Sequence, residues 1–217
     1  LKPHSWYRLD EFAGPRALDS SPNRHDGIFE SHVTYYLPGP RSEQFCQEGE
    51  ANRAAMFAGG RLRAHRMNTR GAWSVSLWVW NGMPANAREV TGWILSRGYD
   101  HGQAADSIQL GLDRQGRLAL QFGSPGDPLD LLPGHSRLTR WQWHHVALSC
   151  DGKTVRAYLD GREEVRADLP EDSVRSLPLF LGGRGDNNSN WEGRLDEVAI
   201  FERALTALEV TRLAGMN

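Results

Sequence analysis

The sequence predicts an all-β protein, namely a two-sheet antiparallel jelly-roll sandwich with one short C-terminal helix. Three observations support this fold class. Apolar and polar residues alternate with a period of two in many short runs, 23 glycines supply frequent turns, and eight tryptophans favour a core rich in aromatic rings. Roughly ten to twelve such runs occur at the short spacing that is typical of a sandwich.

Length and charge narrow the class of protein. A chain of 217 residues suits one undivided sandwich, so we expect a single domain over residues 1–217. Since the chain starts at Leu1 without a signal-peptide pattern, we expect it to be a fragment of a larger protein. The net charge of −2 and the absence of a basic block argue against nucleic-acid binding. No apolar run has the ~18–20 residues that membrane insertion needs.

The strand pattern is clearest in the middle of the chain. In the run 73–80 (WSVSLWVW), Trp73, Val75, Leu77 and Val79 alternate with residues of the opposite face. Residues 113–116 (DRQG) predict a tight hairpin turn, and Asp151-Gly152 predicts another. Residues 36–62 show no clear alternation and predict a long irregular insertion.

The C-terminal residues predict the helix. Thr206 and Glu209 have the spacing of a capping box, and Leu205 and Val210 that of a hydrophobic staple. Gly215 is a suitable stop. We expect this helix to pack on an edge of the sandwich and cover exposed strand groups.

The two cysteines leave two alternatives open. Cys46 and Cys150 form a disulfide if their Cα atoms lie within about 7 Å. Alternatively, Cys150 is a buried thiol, because it shares strand parity with Val146 and Leu148.

Four segments in order resemble one family. They are 6–29 (WYRLDEFAGPRALDSSPNRHDGIF), 73–80, 143–161 (WHHVALSCDGKTVRAYLDG) and 179–205 (LFLGGRGDNNSNWEGRLDEVAIFERAL). Together they are similar to the laminin-G-like, pentraxin-related domains of the concanavalin A-like lectin/glucanase superfamily. The resemblance implies a jelly roll whose first and last strands are neighbours, and an extracellular, periplasmic or cell-surface location.

The resemblance also implies calcium. Relatives often hold Ca²⁺ between an N-terminal Asp loop and the Asp of a late Asp-Glu pair, which maps onto Asp19 and Asp196, with Asn23 as a further oxygen donor. Leu195 and Val198 are both apolar but of opposite parity, which predicts a bulge at Asp196-Glu197. The alternative is an Asx-turn and a structural bulge without metal.

A glycan ligand needs aromatic rings and polar groups at the surface. Trp73, Trp78, Trp143 and Trp191 fall where the family carries core aromatics, whereas Trp80, Trp93 and Trp141 are additional. Two polar loops, 98–107 and 184–190, are candidate rims. The predicted ligand-binding residues are Trp80, Tyr99, Asp100, Trp141, Asp186, Asn187 and Asn188.

Three other motifs carry less weight. The tripeptide Arg184-Gly185-Asp186 matches an adhesion signal, but it also fits a variable connecting loop. His144 and His145 are adjacent on a strand and therefore face opposite sides, which argues against a shared metal ion. The Glu-x-Asp-x-Glu strand motif of the superfamily's glucanases is absent, and the carboxylates in 162–165 and 169–172 lie in turn-like sequence.

These observations predict a non-catalytic extracellular binding module for carbohydrate or adhesion, acting beside other domains of its parent chain. Calcium is its candidate stabilising ion. Its expected partner is a glycan or an extracellular protein. The first alternative is a structural or sensor protein-interaction domain of a bacterial surface or signalling protein. The weaker alternative is a polysaccharide hydrolase or lyase.

Overall fold

The structure is a computed structural model that describes residues 1–41, 45–46, 51–65, 71–84, 90–98, 107–123, 131–169 and 177–215. Sixteen strands and one helix lie within these ranges. The strands are β1 (Ser5–Tyr7), β2 (Arg16–Ala17), β3 (Gly27–Phe29), β4 (Val33–Pro38), β5 (Arg53–Ala58), β6 (Leu62–Arg63), β7 (Trp73–Asn81), β8 (Val90–Arg97), β9 (Ile108–Asp113), β10 (Arg117–Phe122), β11 (Leu131–Arg137), β12 (Trp143–Cys150), β13 (Thr154–Leu159), β14 (Arg162–Asp168), β15 (Leu179–Leu181) and β16 (Glu192–Phe201). The helix is α1 (Ala207–Leu213).

The strands form two antiparallel sheets, which confirms the predicted sandwich. The front sheet has the order β14-β13-β12-β7-β16-β5-β4, with β1 also paired to β16. The back sheet has the order β11-β10-β9-β8-β15-β6-β3-β2. The pairing of β1 with β16 joins the first and last strands, as the family resemblance implied.

The core lies between the two sheets. On β7 the residues Trp73, Val75, Leu77 and Val79 are all fully buried in one apolar cluster, as their alternation predicts. The predicted turns at 113–116 and at Asp151-Gly152 both connect antiparallel neighbours. The sequence predicts both hairpins because their turn residues and the apolar–polar alternation of their strands are local features.

One sequence prediction about the architecture is wrong. Residues 36–62 do not form an irregular insertion, because the end of β4, all of β5 and the start of β6 lie there. The run Arg53–Ala58 (RAAMFA) lacks alternation since small alanines fill both faces of a strand that β4 and β16 flank on either side.

The helix begins and ends as predicted, and it packs on the outer face of the front sheet near the edge strand β14. Thr206 and Glu209 form the capping box, and Gly215 follows the helix with φ +71°. Val210 and Leu205 are buried against Ala147, Tyr158 and Phe201. The helix also contacts the edge strand β14, and Thr211 Oγ1 donates to the Gly161 carbonyl at 3.4 Å, so it covers both the outer face and the β14 end of the front sheet.

Both cysteines are free thiols. Cys150 is buried in the core between the sheets, where burial raises the pKa of its thiol. This arrangement agrees with the alternative in which Cys150 is an ordinary core residue.

Candidate functional site

Trp80 and Trp141 meet on the outer face of the front sheet. Trp80 belongs to the outward set of β7, and Trp141 lies in the turn before β12, with φ +66°. The Trp141 amide donates a hydrogen bond to the Asn81 carbonyl at 3.0 Å, which fixes the turn against the end of β7. The ring centroids are 5.0 Å apart with an interplanar angle of 56°. Trp141 is 57% exposed, so the pair presents aromatic surface to solvent.

Two arginines flank these rings. The guanidinium of Arg194 lies 4.6 Å from the Trp80 ring, and that of Arg140 lies 4.5 Å from the Trp141 ring. Arg194 also donates from Nη1 to the Pro38 carbonyl at 2.9 Å. We call Trp80, Trp141, Arg140 and Arg194 the aromatic platform.

A cavity of about 310 Å³ adjoins the platform at the end of β7. It is continuous with the turn that carries Trp141, since Leu138, Thr139 and Arg140 all line it. Its remaining wall includes Asn81, Met83, Thr91, Leu112, Gln115 and Arg137. Its described lining therefore combines apolar atoms, amides and two arginines, and contains no carboxylate.

A larger cavity of about 720 Å³ lies over the other half of the same face. Phe12 stacks on Tyr36 at 3.8 Å, and the guanidinium of Arg53 lies 4.4 Å from the Tyr36 ring. The remaining wall includes Arg8, Asp10, Glu11, Phe45, Cys46 and Asn52. Sequence reasoning missed this cavity because half of its wall comes from 36–53, which showed no strand pattern.

Asp196 and Glu197 form the predicted bulge. The register with β7 shifts between Asp196 and Ala199, and Glu197 has φ +49°. The bulge lies where the partner of β16 changes from β5 to β1. Because of the extra residue, both carboxyl groups reach the outer face, where Glu197 accepts from Trp6 Nε1 at 2.6 Å and from Arg8 Nε at 3.4 Å.

The Asp196 carboxyl is fully buried. Its Oδ2 accepts from Asn52 Nδ2 at 2.6 Å, while its Oδ1 and the Oδ1 of Asn52 have no hydrogen-bond partner. Burial and the neighbouring Glu197 raise the pKa of Asp196 well above its ordinary value. Burial raises the pKa of Glu197 to about 7, although Trp6 and Arg8 favour its charged form.

Asp19 performs a different task. Its Oδ1 accepts from the amides of Trp6 and Ser21, and its Oδ2 accepts from the Ser21 hydroxyl and the His25 amide, all at 2.8 Å. These four bonds occupy the ~four lone-pair positions of a carboxylate. Asn23 is turned away, since its Nδ2 donates to the His4 carbonyl. Asp19 and Asn23 therefore hold the loop in the way that the Asx-turn alternative describes, and neither fits a calcium site as placed.

Metal-ligand clusters of another kind are also not found. In the described ranges, no three His, Cys, Asp or Glu side chains are placed to hold a metal ion. His144 and His145 face opposite sides of β12, as expected: His144 Nδ1 contacts Asp160, and His145 Nε2 contacts Ser76.

The Arg184-Gly185-Asp186 tripeptide is held in a closed form. Arg184 pairs through two nitrogens with the Asp186 carboxylate at 2.6 Å, and its guanidinium lies 5.6 Å from the Trp93 ring. The carbonyls of Arg184 and Gly185 accept from Arg61. Arg184 is only 9% exposed, so the tripeptide is not a free loop tip.

Of the other predicted ligand residues, Asp186, Asn187 and Asn188 are exposed at the end of that loop. The structure shows no contact between them and the aromatic platform. Trp93, which the sequence singled out as additional, is buried with 1% exposure. Tyr99 and Asp100 lie outside the described residues.

Of the carboxylates considered for catalysis, Glu163 and Glu164 are engaged in the structure, whereas those of 169–172 lie outside the described residues. Residues 162–165 form part of β14, which corrects the prediction of a turn there. Glu163 pairs with Arg166, and Glu164 accepts from the amides of His135 and Ser136 at 2.7 Å. Adjacent strand residues face opposite sides, so these two do not form a pair across one cleft.

Solved structures with the same fold include several binding domains. Domain 4 of AbnA, an extracellular GH43 arabinanase from Geobacillus stearothermophilus crystallised with arabinotriose, is 22% identical with a TM-score of 0.65, and 98% of each chain is covered. The binding domain of Paraclostridial Mosquitocidal Protein 1 is 16% identical with a TM-score of 0.64, covering 98% of this chain and 52% of that one. A Trypanosoma rangeli sialidase reaches a TM-score of 0.71 at 13% identity, with 98% of this chain and 33% of that chain covered. These likenesses show the fold alone.

The chain thus spans about half of the mosquitocidal binding domain and a third of the sialidase. No curated protein sequence matches it. No helix in the described part of the chain is long and apolar enough to cross a membrane. The laminin-G model of the concanavalin A-like lectin/glucanases superfamily matches residues 57–211, which is most of the chain, and the protein therefore belongs to this family.

Proposed function

We propose that this domain is a non-catalytic carbohydrate-binding module whose ligand stacks on Trp80 and Trp141. The exposed contact between these two rings is the observation that carries the proposal. Sugar rings have apolar faces that pack on indole, and neighbouring polar groups then fix their orientation. The two rings are tilted by 56°, so together they present aromatic surface in two orientations instead of one flat plane.

Fixed geometry supports a binding role over simple surface cover. Trp141 is held by its backbone bond to Asn81, and Trp80 lies within a central strand. A rigid aromatic surface loses little conformational entropy when a ligand binds. The arabinotriose complex of the similar arabinanase domain supports the same class of ligand. By likeness to that extracellular enzyme, we place the module outside the cell, on a larger secreted or surface protein.

The test is binding to a glycan array, followed by titration with the best ligand. Trp80→Ala and Trp141→Ala are expected to lower affinity by about 1–3 kcal/mol each, by analogy with the loss when an aromatic ring that stacks on a nucleic-acid base is removed. Leu208→Ala removes an exposed apolar side chain on α1 and serves as the matched control. Phe12→Ala reports on the larger cavity. Glycan binding that survives both tryptophan changes and is lost in Phe12→Ala would assign the ligand to that cavity instead.

We further propose that calcium, where the domain binds it, is held at Asp196 and Asn52 and not at Asp19. The two buried oxygens without partners, Asp196 Oδ1 and Asn52 Oδ1, support this placement. Oxygen atoms of carboxylates and amides are the ligands that Ca²⁺ prefers, and it takes six to eight of them. Asp19 lacks a free lone pair, so its contribution is to the loop.

A further inference from the structure

We propose that the ligand of the aromatic platform is an acidic polysaccharide, whose carboxylate or sulfate groups bind Arg137, Arg140 and Arg194. This inference rests on the proposed function of the same platform. It adds the charge of the ligand and the direction in which its chain lies.

The charge argument starts from unpaired arginines. Arg140 and Arg194 flank the platform, and Arg137 lines the adjoining cavity. Within the described part of the chain, none of the three forms an ion pair with a carboxylate. This contrasts with Arg61, Arg117, Arg156, Arg166, Arg184 and Arg203, all of which have acidic partners.

The opposing charge nearby is small. Glu192 lies two residues before Arg194 on the same face of β16, and it is exposed and not bound to Arg194. Asp113, which follows Leu112 of the cavity wall, is bound to Arg117 and so does not neutralise Arg137, Arg140 or Arg194. Arg194 is also partly buried with Nε unpartnered, and burial lowers the pKa of its guanidinium, which shows that its positive charge lacks local compensation. An anionic ligand supplies that compensation.

The direction argument comes from strand register. Trp143, Trp80, Arg194, Met56 and Thr34 are directly opposite one another on five adjacent strands, β12, β7, β16, β5 and β4. All five are partly or fully exposed. With ~4.8 Å between strands, this row runs about 19 Å across the sheet. It begins at the tryptophans, passes over Arg194 and ends at the edge strand, so it accommodates a polysaccharide lying perpendicular to the strands.

Arginine suits the acidic groups of such a chain. Its planar guanidinium binds a carboxylate or a sulfate through two parallel hydrogen bonds, and it is less strongly hydrated than lysine. In this arrangement the indole rings pack on the apolar sugar faces, and the guanidinium groups bind the carboxylate or sulfate groups. Neutral polysaccharides would use the rings and leave the arginines unpaired.

The experiment compares polymers that differ only in the acidic group. Calorimetry or affinity electrophoresis uses polygalacturonate with its methyl ester, carboxymethyl cellulose with hydroxyethyl cellulose, and dextran sulfate with dextran. We expect at least one acidic member to bind about tenfold tighter than its neutral counterpart, with the difference lost near 1 M NaCl, where the Debye length is ~3 Å. The first two pairs report carboxylate and the third reports sulfate.

Variants separate this inference from the proposed function. Arg140→Gln and Arg194→Gln are each expected to weaken binding of the acidic polymer about tenfold and to weaken binding of its neutral counterpart much less, so that the ratio of the two affinities falls. Arg162→Gln, an exposed arginine on the edge strand β14, is the matched control. Equal binding of acidic and neutral polymers, lost in Trp80→Ala and Trp141→Ala, overturns the acidic ligand and leaves the carbohydrate-binding function standing. Binding to no polymer in the panel and to no glycan on the array overturns both. If binding of the acidic polymers requires the arginines but not the tryptophans, it is non-specific ion exchange. That result would overturn the proposal that the arginines and the rings form one binding site.

Discussion

The ring centroids of Trp80 and Trp141 are 5.0 Å apart, although four strands of the back sheet separate the two residues along the chain. The contact exists because β7 and β12 are neighbours in the front sheet and the turn before β12 folds back on Asn81. Neither residue is needed to fill the core between the sheets. Changes at Trp80 and Trp141 are therefore expected to affect ligand binding more than the free energy of unfolding.

Tryptophans of this protein should differ sharply in their effect on stability. Trp191→Ala removes a side chain with no exposure and is expected to cost about 3–5 kcal/mol. Trp141→Ala removes an exposed ring and its contact with Trp80, and is expected to cost about 1 kcal/mol. Urea unfolding measures both. Similar losses in the two variants would contradict a surface role for Trp141.

The Arg184-Gly185-Asp186 tripeptide should not support integrin-type adhesion. Its arginine and aspartate are bound to each other and its carbonyls are bound to Arg61, so the two charged groups are not displayed separately. Cells plated on the immobilised domain are expected not to attach in a manner that a soluble RGD peptide competes. Asp186→Ala should instead lower the free energy of unfolding by about 1 kcal/mol, because Arg184 loses its partner. Competed attachment would show that the loop opens.

Asp196→Asn and Asp19→Asn should separate the two halves of the calcium prediction. If Asp196 and Asn52 hold Ca²⁺, the melting temperature of the wild type should be higher in excess calcium than in chelator. At a calcium concentration of a hundred times Kd, the free energy of unfolding should rise by about 2.7 kcal/mol. Asp196→Asn should abolish this rise.

Asp19→Asn should lower stability by about 1–3 kcal/mol equally with calcium and with chelator, because donors of the loop lose an acceptor. A calcium response that disappears in both Asp19→Asn and Asp196→Asn would restore the sequence prediction, in which the two carboxylates hold the ion together. No response in the wild type would remove calcium from this domain.

His145 should make the protein less stable as the pH falls below 6.5. The ring is 1% exposed, contacts Ser76 at 2.8 Å and lies edge-on to Trp78. Burial lowers its pKa to about 4, against the opposing effect of Asp160. The unfolded chain takes up the proton at ~6.5 and the folded chain does not, so stability present above 6.5 is lost as the pH approaches 4, by up to about 3 kcal/mol.

The check is urea unfolding of wild type and His145→Met from pH 7.5 to 4.5. Other groups titrate in both proteins, so the difference between the two curves isolates His145. As the pH falls, the free energy of unfolding of His145→Met should rise relative to that of the wild type. Parallel curves would show that the folded protein tolerates the charged ring.

Local patterns in the sequence determined a large part of this structure. The sequence alone predicts the alternation of β7, the two hairpin turns, the capping box at Thr206 and the bulge at Asp196-Glu197, and the structure contains all of them. Each depends on residues within about ten positions of one another, where side-chain period and turn chemistry act directly. The family resemblance added the pairing of β1 with β16.

Only the tertiary structure decided which predicted site residues meet. From the sequence, Trp80 and Trp141 are separate candidates, and Asp19 is either a calcium ligand or part of an Asx-turn. Neither the partner of Arg184 nor the cavity beside Asn52 is predicted. Sheet order and register bring Trp80 to Trp141, place Arg61 beside the 184–186 loop and direct four donors onto Asp19. The physical reason is that alternation records which face of a strand is buried, whereas contact between distant residues depends on which strands pair, and that is set by packing of the whole chain.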